Sequence, residues 1–200
     1  MKRICVFCGS SPGLRPEYVV AARELGTLLA RQKIGLVYGG ARVGMMGALA
    51  SASVEAGGEV IGVMPASLVQ KEVAHNGLKD LRIVETMHER KALMGELSDG
   101  FIALPGGLGT IEEFFEVLTW AQLGMHKKPC GLLNINGYFD PLACFIDHAV
   151  AQQFVSPASR SLVIMEKTPE NLLLKFANYQ APQSDKASWA LRMSDKLAGL

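Results

Sequence analysis

Short, continuously apolar runs alternate with longer amphipathic segments along this chain, and the alternation constrains its fold more than any other feature. Runs such as 4–7, 34–38 and 101–104 are four or five residues long, and glycine or proline follows closely after each. Strands that are apolar on both faces are typical of a parallel sheet covered by helices. The pattern therefore predicts an α/β fold, a doubly wound parallel sheet with helices on both faces.

The same pattern predicts the individual elements and the extent of the domain. Strands are predicted at 4–7, 34–38, 60–63, 81–84, 101–104, 131–135 and 162–165. Helices are predicted at 16–32, 44–56, 110–123, 138–153 and 169–179, with one more after the strand at 81–84. A chain of 200 residues, 49% of them hydrophobic, can bury the core of a single domain, which we place at 1–180. Residues 181–200 are interpreted as a C-terminal tail.

Composition excludes several classes of partner. The net charge is +1 and no long basic block is present, so we expect no nucleic-acid partner. No apolar run is long enough to cross a membrane or to serve as a signal peptide, so we expect a cytoplasmic protein that does not bind membranes. The four cysteines are in or near apolar runs and only one pair has CxxC spacing. We interpret them as buried thiols rather than a zinc site or a redox pair.

A glycine-rich turn at 105–113 is the most informative functional motif. It reads Pro-Gly-Gly-Leu-Gly-Thr-Ile-Glu-Glu and follows a predicted buried strand. Glycines let the backbone N–H groups approach a ligand closely, and the start of a helix favours an anion. Thr110 could cap the helix or bind a phosphate oxygen, and Glu113 follows one turn into the helix. An ordinary capped turn would explain one glycine and the acids, but not three glycines in four positions.

Two other glycine-containing loops follow the first two strands and are expected at the same edge of the sheet. Gly9 and Ser10 open the loop 9–13, which fits a phosphate or ribose site and fits an ordinary turn equally well. Gly39 and Gly40 open a cluster without GxGxxG spacing that follows the second strand rather than the first. We therefore reject NAD as a cofactor and interpret this cluster as the floor beneath a base or sugar.

Charged side chains on two predicted helices complete the expected site. Arg90 and Lys91 follow the fourth strand, where an arginine can bind a phosphate or carboxylate through two hydrogen bonds. Glu113 and Glu116 share one helix face and could bind a metal. The motif contains no histidine or aspartate, so we predict an acid–base role for Glu113 and neither a metal nor a cofactor.

Five segments together resemble one family. Residues 6–13, 37–40, 89–94, 105–113 and 119–124 are similar to the LONELY GUY (LOG) family of cytokinin riboside 5′-monophosphate phosphoribohydrolases, often labelled "possible lysine decarboxylase". The resemblance extends from about residue 4 to 177. It implies a Rossmann-like homodimer that hydrolyses the N-glycosidic bond of nucleoside 5′-monophosphates, releasing a free base and ribose 5-phosphate.

The resemblance also implies the residues of the site. It assigns catalysis to Arg90 and Glu113, and it adds Glu72, Lys91 and Thr119 to the residues that bind substrate. The full predicted substrate-binding set is Gly9, Ser10, Gly39, Gly40, Glu72, Arg90, Lys91, Gly106, Gly107, Leu108, Gly109, Thr110, Ile111, Glu112, Glu113 and Thr119. The chain departs from the family pattern at Ala41-Arg42 and at Leu108, where the family usually has glycine and tyrosine, and these positions concern base preference.

The chemistry and the assembly follow as expectations. Glycosidic cleavage passes through an oxocarbenium-like state, which Glu113 would stabilise or supply with an activated water. Arg90 would anchor an anion or assist the departing base. Amino-acid decarboxylation usually needs pyridoxal phosphate in a larger frame, so we reject that activity. A non-catalytic nucleotide-binding module is the alternative function.

The helix at 114–123 is apolar on more than one face, which predicts a homodimer, with an intrachain core as the alternative.

Overall fold

Seven parallel strands form one sheet in the part of the chain that the computed structural model describes, which is residues 1–69, 74, 75, 77–182, 189 and 191. The strands are β1 (Arg3–Phe7), β2 (Gly35–Tyr38), β3 (Val60–Pro65), β4 (Asp80–Val84), β5 (Phe101–Ala103), β6 (Cys130–Leu133) and β7 (Val163–Glu166). Their order across the sheet is β4-β3-β2-β1-β5-β6-β7. The predicted strands are thus confirmed, with shifts of one or two residues at their ends.

Helices connect these strands. They are α1 (Pro16–Arg31), α2 (Gly44–Glu55), α3 (Met87–Glu96), α4 (Leu108–Gln122), α5 (Asp140–Ala151), α6 (Pro157–Arg160) and α7 (Pro169–Ala177). The short α6 was not predicted, because a single turn shows no helical periodicity. Helix α4 begins two residues earlier than predicted, inside the glycine turn. The predicted tail, 181–200, lies almost wholly outside the described residues.

The winding of the chain creates a crevice between β1 and β5. From β1 the chain proceeds outward through β2 and β3 to β4, and α3 then returns it to β5 on the other side of β1. Cys5 pairs with Phe101 across the two central strands. Helices α1, α2 and α7 pack on one face, and α3, α4 and α5 pack on the other. The loops after β1 and β5 therefore diverge to opposite faces, which is where doubly wound sheets bind ligands.

The expectation of buried thiols holds for three of the cysteines. Cys5, Cys8 and Cys130 are buried in the sheet, and burial raises the pKa of the Cys130 thiol to about 12. Cys144 is exposed on α5, so the prediction was wrong for this residue, which lies on the solvent side of the helix.

The described residues contain neither a metal-binding cluster nor a membrane-spanning helix. Among the described residues, no group of three or more histidine, cysteine or acidic side chains could hold a metal ion. None of the helices in the described ranges has both the length and the apolarity that crossing a bilayer requires.

Helices α1 and α2 touch at a glycine, which gives a test of the packing. A Cβ added at Gly26 would lie 2.3 Å from the Leu49 carbonyl oxygen, so Gly26→Ala must push the helices apart. Overpacking of this kind costs about 1–3 kcal/mol, and urea unfolding should show that loss. Gly95→Ala is the matched control, because its Cβ would meet only Trp120, at an ordinary 3.4 Å. Equal stability of the two variants would contradict the described contact.

Candidate active site

A cavity of about 320 Å³ opens at the carboxyl ends of the central strands, at the crevice between β1 and β5. Its walls come from the end of β1, the loops after β1 and β2, the first two turns of α3, and the glycine turn with the start of α4. The lining residues are Val6, Phe7, Cys8, Gly9, Ser10, Gly39, Met46, Met87, Arg90, Met94, Gly107, Leu108, Gly109, Thr110, Glu112 and Glu113. The structure thus brings together most of the predicted site residues.

The three glycines of the turn differ in what surrounds the position of a Cβ atom. A Cβ added at Gly106 would lie 2.1 Å from Thr110 Oγ1 and 2.8 Å from the Gly9 nitrogen, so the fold itself excludes a side chain there. A Cβ added at Gly107 or Gly109 would meet no protein atom within 4 Å. Both residues line the cavity, so the space beside their backbone is open to a ligand.

Thr110 occupies a different position from the predicted cap. Gly107 is the N-cap of α4, without a side-chain cap, and Thr110 is the third residue of the helix. Thr110 is only 4% exposed and its hydroxyl packs against Gly106. The capping interpretation was wrong because the helix begins at Leu108, which leaves the N–H groups of the first turn facing the cavity region.

Arg90 is buried and joins three elements. Its Nη1 lies 3.3 Å from Glu113 Oε1, and both side chains are largely buried. Its Nε donates to the Val63 carbonyl at 3.1 Å, and Nη2 donates to the Gly39 carbonyl at 3.4 Å. The guanidinium therefore holds the end of β2, strand β3 and helix α4 in one arrangement. A buried arginine is tolerated because a carboxylate and carbonyl oxygens replace its water shell.

Gly39 makes room for this guanidinium. A Cβ added at Gly39 would lie 2.2 Å from Arg90 Nη2. The interpretation of Gly39 as a floor for a base or sugar is therefore incomplete, since the close neighbour that requires glycine is a side chain of the protein. Gly40 has φ +84°, and a Cβ added there would meet Leu81 and Met64, neither of which lines the cavity.

Cys8 lines the cavity but is unsuited to act as a nucleophile. Burial raises the pKa of its thiol, and the negative charge of Glu113 raises that pKa further. The thiolate is the reactive form of cysteine, so the thiol stays protonated and inert near neutral pH. Glu113, whose charge acts on this thiol, lines the same cavity.

Lys91 contacts carboxylates rather than the cavity. Its Nζ lies 2.6 Å from Glu112 Oε1 and 3.0 Å from Glu116 Oε1, which ties α3 to α4. Burial acts to lower the pKa of Lys91, but the hydrogen bonds to Glu112 and Glu116 outweigh it and raise the pKa above its ordinary value. To bind a substrate anion as predicted, the ammonium would have to leave these partners.

The remaining predicted residues lie outside this cavity or outside the described residues. Ile111 packs into the core beneath α4. Thr119 is exposed and lines a separate apolar groove of about 150 Å³ between α4 and α5. Glu72 falls in the segment 70–73, which lies outside the described residues.

Sequence reasoning missed the methionines of the wall. Met87 and Met94 flank Arg90 at helical spacings of three and four residues, so one face of α3 presents all three side chains. Met46, on α2, lines the cavity as well. The spacing around Arg90 was the available signal for the first two, since residues on one helix face share a surface.

Comparison with known proteins gives consistent results. The family model described as "Possible lysine decarboxylase" matches residues 46–176. The cytokinin riboside 5′-monophosphate phosphoribohydrolase of Rhodococcoides fascians is 54% identical over 173 residues, which cover 86% of this chain and 87% of that protein. An Arabidopsis thaliana protein with the same name is 48% identical over 187 residues, covering 94% and 87% of the two chains.

Solved structures support the fold. The molybdenum cofactor binding protein of Rippkaea orientalis superimposes with a TM-score of 0.65 at 23% identity, covering 89% of this chain and 97% of that one. The molybdenum cofactor carrier protein of Chlamydomonas reinhardtii gives 0.66 at 22% identity, covering 88% and 96%. At this identity the likeness shows a shared Rossmann-like fold. The sequence relatives are far closer, and by them this chain belongs to the LONELY GUY family, whose named members are cytokinin riboside 5′-monophosphate phosphoribohydrolases.

Proposed function

We propose that this protein hydrolyses the N-glycosidic bond of nucleoside 5′-monophosphates, cytokinin nucleotides and AMP among them, to a free base and ribose 5-phosphate. The observation that carries the proposal is the buried Arg90–Glu113 pair beside a glycine turn that is open to a ligand. Relatives at 54% and 48% identity carry the name of this activity. The sequence motifs and the geometry of the cavity therefore support the same chemistry.

The phosphate binds at the glycine turn in this proposal. Gly107 and Gly109 leave open space, and the first turn of α4 offers unpaired N–H groups and a partial positive charge. A phosphate held there orients the ribose, since binding remote from the reacting bond fixes its geometry. The α4 helix then continues toward the ribose and carries Glu113 with it.

Glu113 acts on the anomeric carbon. Bond cleavage leaves positive charge on the ribose, and a carboxylate held in a largely buried site stabilises that charge or takes a proton from the attacking water. The water oxygen becomes the hydroxyl on C1′, and the base leaves with the bonding electrons and a proton. Arg90 offsets the cost of burying the carboxylate and fixes its position, while two of its other nitrogens donate to backbone carbonyls.

Lysine decarboxylation has little support from the chain. That chemistry uses a lysine amine to hold pyridoxal phosphate as a Schiff base. Lys91 is next to the cavity wall, but it is bound to two carboxylates that raise its pKa and keep the ammonium charged. An ammonium in this state is a poor Schiff-base former.

We further propose that the protein is a cytoplasmic homodimer. The groove between α4 and α5 is lined by apolar side chains such as Phe115 and Leu118, and Phe145 beside them is 65% exposed. An isologous contact over this groove would cover that apolar surface. Thr119 lines the same groove, so the contact would bring it to the partner subunit. The buried free thiols fit a reducing compartment.

Removing the charge of Glu113 tests the catalytic assignment. Glu113→Gln keeps the size of the side chain and an oxygen that accepts from Arg90. Turnover of AMP or isopentenyl-AMP should fall at least about a hundredfold, since a key acid–base or electrostatic group contributes that much. Nucleotide binding, measured by calorimetry, should persist. Glu116→Gln on the same helix is the control, and near-native turnover by Glu113→Gln would rule out the proposed role.

A methyl group at Gly109 tests the phosphate cradle. The free protein has room for it, and alanine favours a helix over glycine, so Gly109→Ala should unfold no more readily than the native protein. The methyl would occupy ligand space, so KM for AMP should rise at least about tenfold while the slow reaction of adenosine stays unchanged. The cradle would be contradicted if the variant had the same kcat/KM for AMP as the native protein. It would also be contradicted if the native protein had equal kcat/KM values for AMP and for adenosine.

Charge in the apolar groove tests the dimer. Light scattering at low micromolar concentration should give about twice the 21.5 kDa chain mass for the native protein. Phe145→Asp should shift the mass toward the monomer, because it buries an unpaired charge in the contact. Leu174→Asp, an equally exposed apolar residue on α7, should not. A native protein of 21.5 kDa alone would refute the dimer, whereas a larger assembly built of dimers would not.

A further inference from the structure

A tyrosine outside the cavity holds the glycine turn. Tyr138 follows β6, and its hydroxyl donates a 2.6 Å hydrogen bond to the Gly106 carbonyl oxygen. It is absent from the predicted site and from the residues that line the cavity. The observed contact between Tyr138 and the site is thus with the turn, whose next residue, Gly107, lines the cavity.

The hydrogen bond from Tyr138 fixes the orientation of the peptide group between Gly106 and Gly107. In a trans peptide the carbonyl of one residue and the N–H of the next point in opposite directions. A Gly106 carbonyl that is fixed toward Tyr138 therefore aims the Gly107 N–H away from Tyr138. Gly107 lines the cavity, and its N–H has no hydrogen-bond partner among the described residues. This peptide would otherwise rotate easily, because neither flanking residue has a Cβ.

The backbone and its packing fix the position of Tyr138 in turn. Asn136 and Gly137 both have left-handed φ values, of 51° and 72°, which reverse the chain just before it. The buried Asn134 side chain accepts from the Phe139 N–H at 2.8 Å and donates to Asp140 at 2.7 Å. The backbone next to Tyr138 is thereby held, and the ring is kept in place by its own contacts with Gly106 and with neighbouring rings.

The Tyr138 ring also connects the turn to the loop on the other side of the crevice. It packs edge-on against Tyr18, with ring centroids 5.6 Å apart and an interplanar angle of 76°. A Cβ added at Gly13 would lie 2.8 Å from the Tyr18 ring, so the loop after β1 rests directly on this tyrosine. The two loops also meet directly, because the Gly9 N–H donates to the Pro105 carbonyl at 3.1 Å. The tyrosine pair therefore adds a side-chain contact to one that the backbone already makes.

We propose that Tyr138 is a positioning residue, which orients the Gly106–Gly107 peptide so that the Gly107 N–H is directed at the phosphate of the substrate. This inference rests on the proposed function, because it assumes that the glycine turn binds phosphate. It predicts that the Tyr138 hydroxyl contributes to the affinity for phosphate esters and not to the reactivity of the glycosidic bond.

The test removes only the hydroxyl. Tyr138→Phe keeps the ring and its contact with Tyr18. The dissociation constant of ribose 5-phosphate, measured by calorimetry, should rise about five- to tenfold, which is the net contribution of one ordinary hydrogen bond. The loss is no larger because the Gly107 N–H remains and only its orientation is released. KM for AMP should rise by the same factor with kcat within about twofold, and the kcat/KM of adenosine should not change. A general disturbance of the fold would instead affect AMP and adenosine alike.

Tyr18→Phe is the matched control, because the Tyr18 hydroxyl has no hydrogen-bond partner among the described residues. It should bind ribose 5-phosphate as the native protein does. Native affinity in Tyr138→Phe, or an equal loss in both variants, would overturn the inference. The binding measurement does not require turnover, so a native protein that binds ribose 5-phosphate but hydrolyses nothing would refute the proposed function alone. A native protein that hydrolyses AMP but does not bind ribose 5-phosphate would overturn this inference and leave the proposed function intact.

Discussion

The guanidinium of Arg90 is the contact on which the site depends. It reaches from α3 to the carbonyls of Val63 and Gly39 and to the carboxylate of Glu113, so it connects strands on one side of the crevice to the helix on the other. Leaving one partner of a buried ion pair uncompensated costs about 3–5 kcal/mol. The arrangement therefore favours a single position for Glu113 before any substrate arrives, and a catalytic carboxylate benefits from such preorganisation.

The rest of the cavity is built around this fixed charge. The crevice exists because the chain winds outward from β1 in both directions, which separates the loops after β1 and β5. Gly106 permits the close approach of Gly9 and Thr110, and so the start of α4 comes to the edge of the crevice. Gly107 and Gly109 then leave space on the cavity side. A positive helix end and a buried carboxylate thus lie on one helix, about one and a half turns apart. One end can meet the phosphate of a nucleotide while the carboxylate meets its anomeric carbon.

The sequence predicts much of this architecture because its signals are local. Continuous apolar runs and helical periodicity identify the strands and the longer helices, and the glycine turn identifies the edge where ligands bind. The sequence does not show the contacts between distant residues. Gly39 and Arg90 are separated by 51 positions, so only the folded chain shows that the glycine makes room for the guanidinium. Lys91 has the sequence position of an anion ligand, but the folded chain brings it into contact with Glu112 of α4, 21 positions away. Thr119 shares a helix with Glu113, but it lies on the side that faces α5.

In the proposed reaction, water cleaves the bond between base and ribose in an intact nucleotide. The most direct measurement is to incubate the native protein with isopentenyl-AMP and to quantify the products by chromatography and mass spectrometry. The free base and ribose 5-phosphate should accumulate in equimolar amounts over many turnovers. Recovery of intact nucleotide from a protein that binds it saturably would contradict the account, and it would identify the chain as a nucleotide-binding module that uses the same cavity without catalysis.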